Sequence, residues 1–100
     1  MDLKGKTAVI SGGPSGIGYA MAERMAGEGA RIVLADVEAK TLNDATARLR
    51  SQGAEAIGVP TDISRFAEVE ALAARAISEY GNVHILCNNA GVSITGPSWE

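Results

Sequence analysis

Apolar positions along this chain fall into two alternating rhythms. Residues 6–11 form a short, mostly apolar run that ends at glycine, as a buried strand does. From Gly16 the apolar positions Ile17, Ala20, Met21 and Met25 recur three to four apart, and Gly29 stands where a helix would terminate. The unit then repeats. Arg31–Asp36 is β-rich and leads into a polar stretch whose Leu42, Ala45 and Leu49 keep helical spacing as far as Gly53. Residues 54–59 read as a weaker strand ended by Pro60, which has no N–H to give a ladder. Asp62 or Ser64 is placed to cap a third helix, in which Phe66, Val69, Ala73, Ala76, Ile77 and Tyr80 make one apolar stripe closed by Gly81. Residues 83–87 are a fourth strand running into Asn88-Asn89-Ala90-Gly91, and residues 92–100, with Gly96-Pro97 and no periodicity, read as loop. Strands alternating with helices of this length predict an α/β fold of parallel βαβ units with right-handed crossovers.

Bulk properties narrow the function classes. One hundred residues, 46% of them hydrophobic and 21% charged, suit one ordinary globular domain with one core. The net charge of -3 and the absence of any Lys/Arg cluster argue against a nucleic-acid partner. No run is long enough for a signal peptide core or a membrane span, so the expectation is a cytoplasmic protein with no membrane partner. A single cysteine, Cys87, gives no disulfide framework and reads as a small apolar strand residue. His84 has no second His or Cys at ligand spacing, so no metal site is expected.

The candidate chemistry lies in the turn Ser11-Gly12-Gly13-Pro14-Ser15-Gly16-Ile17-Gly18, between the first strand and the first helix. Gly12 lets the chain turn sharply, Gly16 lets backbone approach a pyrophosphate, and Gly18 lets the helix pass close to the sheet. The helix start then offers free N–H groups and a positive dipole end to the phosphates. Taken alone, the triplet also fits a plain strand-end turn. Asp36 adds to it, because it ends the second strand eighteen residues after Gly18, where an acid can accept from an adenosine ribose hydroxyl. A carboxylate there opposes a 2′-phosphate, which favours NAD over NADP. Val37 and Glu38 supply no guanidinium, and Lys40 is the one nearby cation. A P-loop is excluded, since Gly18 is followed by Tyr19 and Ala20 rather than Lys and Ser or Thr.

These residues together resemble the N-terminal half of the short-chain dehydrogenases/reductases (SDRs). The resemblance covers the whole chain and rests on the Gly12-x-x-x-Gly16-Ile17-Gly18 loop, Asp36, the Asp62-Ile63 pair after strand three and Asn88-Asn89-Ala90-Gly91 after strand four. It implies a Rossmann-type doubly wound parallel sheet of order 3-2-1-4, with residues 1–100 as its dinucleotide-binding part. The implied cofactor-binding residues are Gly12, Ser15, Gly16, Ile17, Gly18, Asp36, Val37, Asp62, Ile63, Asn89, Ala90 and Gly91. Asp62 and Ile63 would border the adenine, and Asn88 would tie the central sheet together. Ser11 stands where the family usually has threonine, and Pro14 removes one N–H from the loop.

The family's reaction is hydride transfer between a nicotinamide cofactor and a secondary alcohol or ketone, with a Tyr-x-x-x-Lys pair as the proton-transfer device. Here Tyr19 is followed four residues on by Glu23, and Tyr80 by His84, so neither qualifies. The catalytic residues are expected beyond Glu100, and strand four is expected to be an open edge that wants another strand beside it. Two alternatives stay open at this point, a non-catalytic NAD-binding or sensing module and an inactive truncated fragment. The resemblance further implies a homo-oligomer for the complete protein.

Overall fold

The computed structural model describes residues 3–12 and 16–88. Seven elements follow in the order β1 (Thr7–Ser11), α1 (Gly16–Gly27), β2 (Arg31–Asp36), α2 (Ala39–Ser51), β3 (Ala56–Pro60), α3 (Phe66–Tyr80) and β4 (Ile85–Asn88). All strand pairs are parallel and the sheet order is β3-β2-β1-β4. The chain thus winds outward from β1 to β3, then crosses back over the sheet to place β4 on the other side of β1. The parallel pairing is what the alternating pattern predicts, and the doubly wound order is what the family resemblance implies.

The period of two along each strand divides the core into two layers. Ala8, Ile10, Ile32, Leu34 and Ala56 face α1 and α2, where Tyr19, Ala22, Leu42, Ala45 and Leu49 cover them. Val9, Val33, Ala35 and Ile57 face α3 and are met by Leu72 and Ala76, with Tyr80 and Val83 packed alongside. Gly58 lies where α2 crosses β3. A Cβ there would come within 2.6 Å of Thr46 Oγ1 and 3.0 Å of Leu42 Cγ, so the strand needs glycine for this helix to sit so close.

Both helix ends before β2 and β3 are built alike. Gly29 has φ +100°, its N–H reaches Ala26 O, and Ala30 N–H reaches back to Met25 O. Gly53 has φ +94°, with Gly53 N–H on Arg50 O and Ala54 N–H on Leu49 O. The left-handed glycine lets the chain reverse while satisfying the last carbonyls.

Three local expectations change. The α3 stripe is rotated: Leu72 and Ala76 are buried, whereas Phe66 is 76% and Ile77 51% exposed. Leu72 was missed because the helix contains enough Ala and apolar residues to offer two overlapping stripes, and the one carrying Leu72 fits the Val9–Val33 face. Neither Asp62 nor Ser64 caps α3. The helix begins after Arg65 with no side-chain cap, because residues 62–65 form a turn of their own in which Arg65 N–H bonds Asp62 O. β4 starts at Ile85 rather than Val83. Just before it, His84 N–H donates to Thr7 O at 2.9 Å, and Thr7 N–H donates to His84 Nδ1 at 3.3 Å. His84 is therefore a structural partner of β1.

Candidate dinucleotide site

In an open parallel sheet, ligands sit outside the carboxyl ends of the strands, at the point where the winding reverses. Here that point lies at β1 and β4. Ser11 pairs in register with Ala35 on one side and Asn88 on the other, and Asp36 pairs with Pro60, so the four carboxyl ends finish side by side. The Ser11 hydroxyl also donates to Cys87 O at 3.4 Å, linking β1 to β4 below the edge. The Cys87 thiol is half-buried beside the core, and burial pushes its pKa up, which makes it a packing residue.

Gly12 leaves β1 with φ +71°, a conformation that side-chain-bearing residues rarely adopt, and its N–H bonds Ala35 O at 2.8 Å. Four residues later Gly16 opens α1. Gly18 is buried in the first turn of that helix. Ile17 belongs to the same turn, but its side chain lies outside the described part. Ser15, Asn89, Ala90 and Gly91 also lie outside the described residues, as do Pro14 and the side chain of Asn88.

Asp36 is the last residue of β2 and half-buried. Its Oδ1 accepts the Glu38 N–H at 3.0 Å, which fixes the carboxylate by a local turn and leaves Oδ2 as an acceptor among the described residues. The Asp36 carbonyl takes the Thr61 N–H at 2.8 Å, joining the β2 end to the β3 end. Val37 is 63% exposed beside it. Glu38 precedes α2, and its Oε1 accepts the Thr41 hydroxyl at 3.1 Å. Lys40 Nζ pairs with Asp44 Oδ2 at 3.3 Å, on the same helix.

The turn after β3 carries Asp62 and Ile63, both half-buried. Asp62 Oδ1 accepts from the Ser64 hydroxyl at 2.6 Å and the Ser64 N–H at 3.0 Å. The Ser64 hydroxyl first, then its N–H, hold the Asp62 carboxyl below the usual carboxylate range; partial burial opposes this and Arg65 assists it. Sequence reasoning missed Glu68, whose Oε1 accepts the Asp62 N–H at 2.7 Å while the carboxylate also pairs with Arg65 at 3.6 Å. No spacing rule announces this bond, which spans six residues and bypasses the Arg65 N–H that a reciprocal cap would use.

Among the described residues no cluster of three metal-ligating side chains occurs, and no helix is long and apolar enough to cross a membrane. An open hollow exists at the opposite edge of the sheet, around Lys4, Gly5, Glu28, Gly53 and Glu55. Its charges are mixed, and the Arg31–Glu55 ion pair already crosses it, so no set of polar groups converges there.

Residues 6–100 match the sequence profile described as short chain dehydrogenase. The chain belongs to the short-chain dehydrogenase family. It is 39% identical over 102 residues to 1-deoxy-11-beta-hydroxypentalenate dehydrogenase of Streptomyces exfoliatus, an alignment covering 100% of this chain and 37% of that protein. A short-chain dehydrogenase/reductase of Burkholderia phymatum, solved in complex with NAD, superposes with a TM-score of 0.83 at 48% identity, over 86% of this chain and 31% of that one. L-Sorbose reductase of Gluconobacter frateurii, complexed with NADPH and L-sorbose, gives a TM-score of 0.87 at 38% identity, over 96% and 37%. The chain thus spans about a third of the length of these family members.

Proposed function

We propose that residues 1–100 form the cofactor-binding half of an NAD-dependent oxidoreductase that moves hydride between nicotinamide and a small secondary alcohol or ketone. The observation that carries this reading is the Asp36 carboxylate, held by the Glu38 N–H at the end of β2, next to the strand whose Gly12 turn leads to α1. In this reading Gly12, Ser15, Gly16, Ile17 and Gly18 receive the pyrophosphate. Asp36, with Val37 beside it, accepts from the adenosine ribose, and Asp62 and Ile63 flank the adenine. Asn89, Ala90 and Gly91 line the adenosine and phosphate side.

The donor set fits such a group: a left-handed glycine opens the turn, a helix N-terminus supplies N–H groups, and Asp36 Oδ2 is an acceptor for a hydroxyl. Bound nicotinamide supplies the hydride chemistry. The residues of this segment hold and orient; the proton-transfer pair belongs to another part of the polypeptide, because Tyr19 and Tyr80 lack the lysine partner. Support comes from the Streptomyces dehydrogenase and from the NAD complex of the Burkholderia relative. The NADPH complex of the sorbose reductase means that family alone does not choose the cofactor, and Asp36 is the local reason for NAD.

The test is the dissociation constants of NAD and NADP for the protein as its source makes it. NAD binding about tenfold or more tighter than NADP is expected, from a carboxylate set against a 2′-phosphate. Asp36→Asn should narrow that ratio. Equal affinities, or no binding of either, would overturn the reading.

A further inference from the structure

We infer that Glu68 is a positioning residue for the adenine end of the cofactor site, its carboxylate setting the turn that presents Asp62 and Ile63. This rests on the reading above, in which those two residues flank the adenine, and extends it to a side chain in the first turn of α3. The backbone at Thr61 and Asp62 is pinned from two sides. Thr61 N–H donates to Asp36 O at 2.8 Å, which ties the turn to the end of β2 through backbone alone. The next N–H, that of Asp62, donates to Glu68 Oε1 at 2.7 Å, which ties the turn to α3. An ionised acceptor makes this a strong bond. Among the described residues it is the one side-chain hydrogen bond that joins α3 to the Asp62 turn.

Asp62 does not fix its own place. Its Oδ1 takes the Ser64 hydroxyl at 2.6 Å and the Ser64 N–H at 3.0 Å, bonds internal to the turn that move with it. Oδ2 makes no hydrogen bond among the described residues, so it is the atom the turn offers to a donor. Adenine carries such a donor on its edge, the exocyclic amino group, and an acceptor displaced by about an ångström loses that bond. Glu68 therefore governs base recognition through Asp62, with no contact of its own. Its pairing with Arg65 at 3.6 Å is between exposed side chains and contributes little, so the Asp62 N–H bond carries the role.

Two conservative variants separate bond from charge. Glu68→Gln keeps the length and an oxygen for the Asp62 N–H, and removes the charge that faces Arg65 and favours the helix start. Glu68→Asp keeps the charge and is one methylene too short to reach that N–H. The assay is isothermal titration of NAD, and of its analogue with hypoxanthine in place of adenine, into the complete protein; hypoxanthine has an oxo group where adenine has the amino group. The parent should prefer NAD, and Glu68→Asp should cut that preference about threefold to tenfold, the worth of one hydrogen bond. Glu68→Gln should hold it within about twofold, even where the lost charge lowers the melting temperature, and Asp62→Ala should abolish it. An unchanged preference in Glu68→Asp, with loss in Asp62→Ala, overturns this inference and leaves the cofactor reading standing. Equal losses in Glu68→Gln and Glu68→Asp also overturn it, because charge rather than the bond would then be responsible. A parent preference that is absent, or that Asp62→Ala leaves intact, removes the role of Asp62 and the inference with it. A parent that binds neither dinucleotide removes the cofactor reading itself.

Discussion

Replacing Tyr19 by phenylalanine removes one oxygen from the interior and leaves the ring. Tyr19 is 9% exposed, packed between α1 and α2 in the layer that holds Leu42, Ala45 and Leu49, and its hydroxyl has no hydrogen-bond partner among the described residues. The Arg48 guanidinium lies over the ring, 4.9 Å from its centre, an attraction phenylalanine retains. In the unfolded chain the hydroxyl is bonded to water, so folding strips it of partners at a cost of about 1–3 kcal/mol. Tyr19→Phe should therefore stabilise the fold by up to about that amount, against the usual direction of core substitutions. Urea unfolding followed by circular dichroism measures it as a higher midpoint at unchanged slope.

The alkaline limb provides a second readout. Burial, partly offset by Arg48 and reinforced by Glu23, raises the Tyr19 pKa above its ordinary value. Above pH 10 the unfolded chain ionises first, so the parent loses stability as pH rises toward the folded-state pKa, and Tyr19→Phe lacks this loss. A Tyr19→Phe protein less stable than its parent would refute the reasoning, by revealing a bond that the hydroxyl makes.

Two further substitutions separate packing from conformation. Gly58→Ala should destabilise by about 1–3 kcal/mol, since the new methyl meets Thr46 Oγ1 at 2.6 Å, whereas Gly27→Ala, at the end of α1 with open space around it, should gain up to about 1 kcal/mol; thermal melts compare them. Ser64→Ala should raise the Asp62 pKa, read by carboxyl-carbon NMR. In the parent the folded-state pKa lies below the unfolded value, so Asp62 contributes stability above about pH 4 that is lost as pH falls through the folded value. In the variant that acid loss should begin at higher pH.

Periodicity made the element order and the parallel sheet legible, because the strand runs of β1 and β2 and the three-to-four spacing along α1 and α2 agree with their glycine stops, while the doubly wound order came from the family resemblance. The α3 face was not legible, since helical spacing offers two stripes and only the shape of the Val9–Val33 layer selects the one through Leu72. The start of α3 failed for a different reason. Asp62 and Ser64 are good cap residues, but their side chains are consumed in bonding each other, and Glu68 serves the turn from inside the helix. Gly58 also carried no readable signal, because a glycine in a strand becomes meaningful only when the helix above it is known. Of the candidate site, the register that aligns Gly12, Asp36 and Asp62 on one edge follows from topology, whereas the Asp36–Glu38 bond and the diversion of Lys40 to Asp44 are side-chain choices that spacing cannot reveal.

The most direct measurement of the central claim is a map of backbone amide NMR shifts as NAD is added to the isotope-labelled protein. The account predicts that Gly12, Gly16, Gly18, Asp36, Val37 and Asp62 move together and saturate at one dissociation constant, while Gly29, Gly53 and Glu55 at the opposite edge stay still. Shifts centred on Lys4, Gly29, Gly53 and Glu55, with Gly12 and Asp36 unmoved, would contradict it.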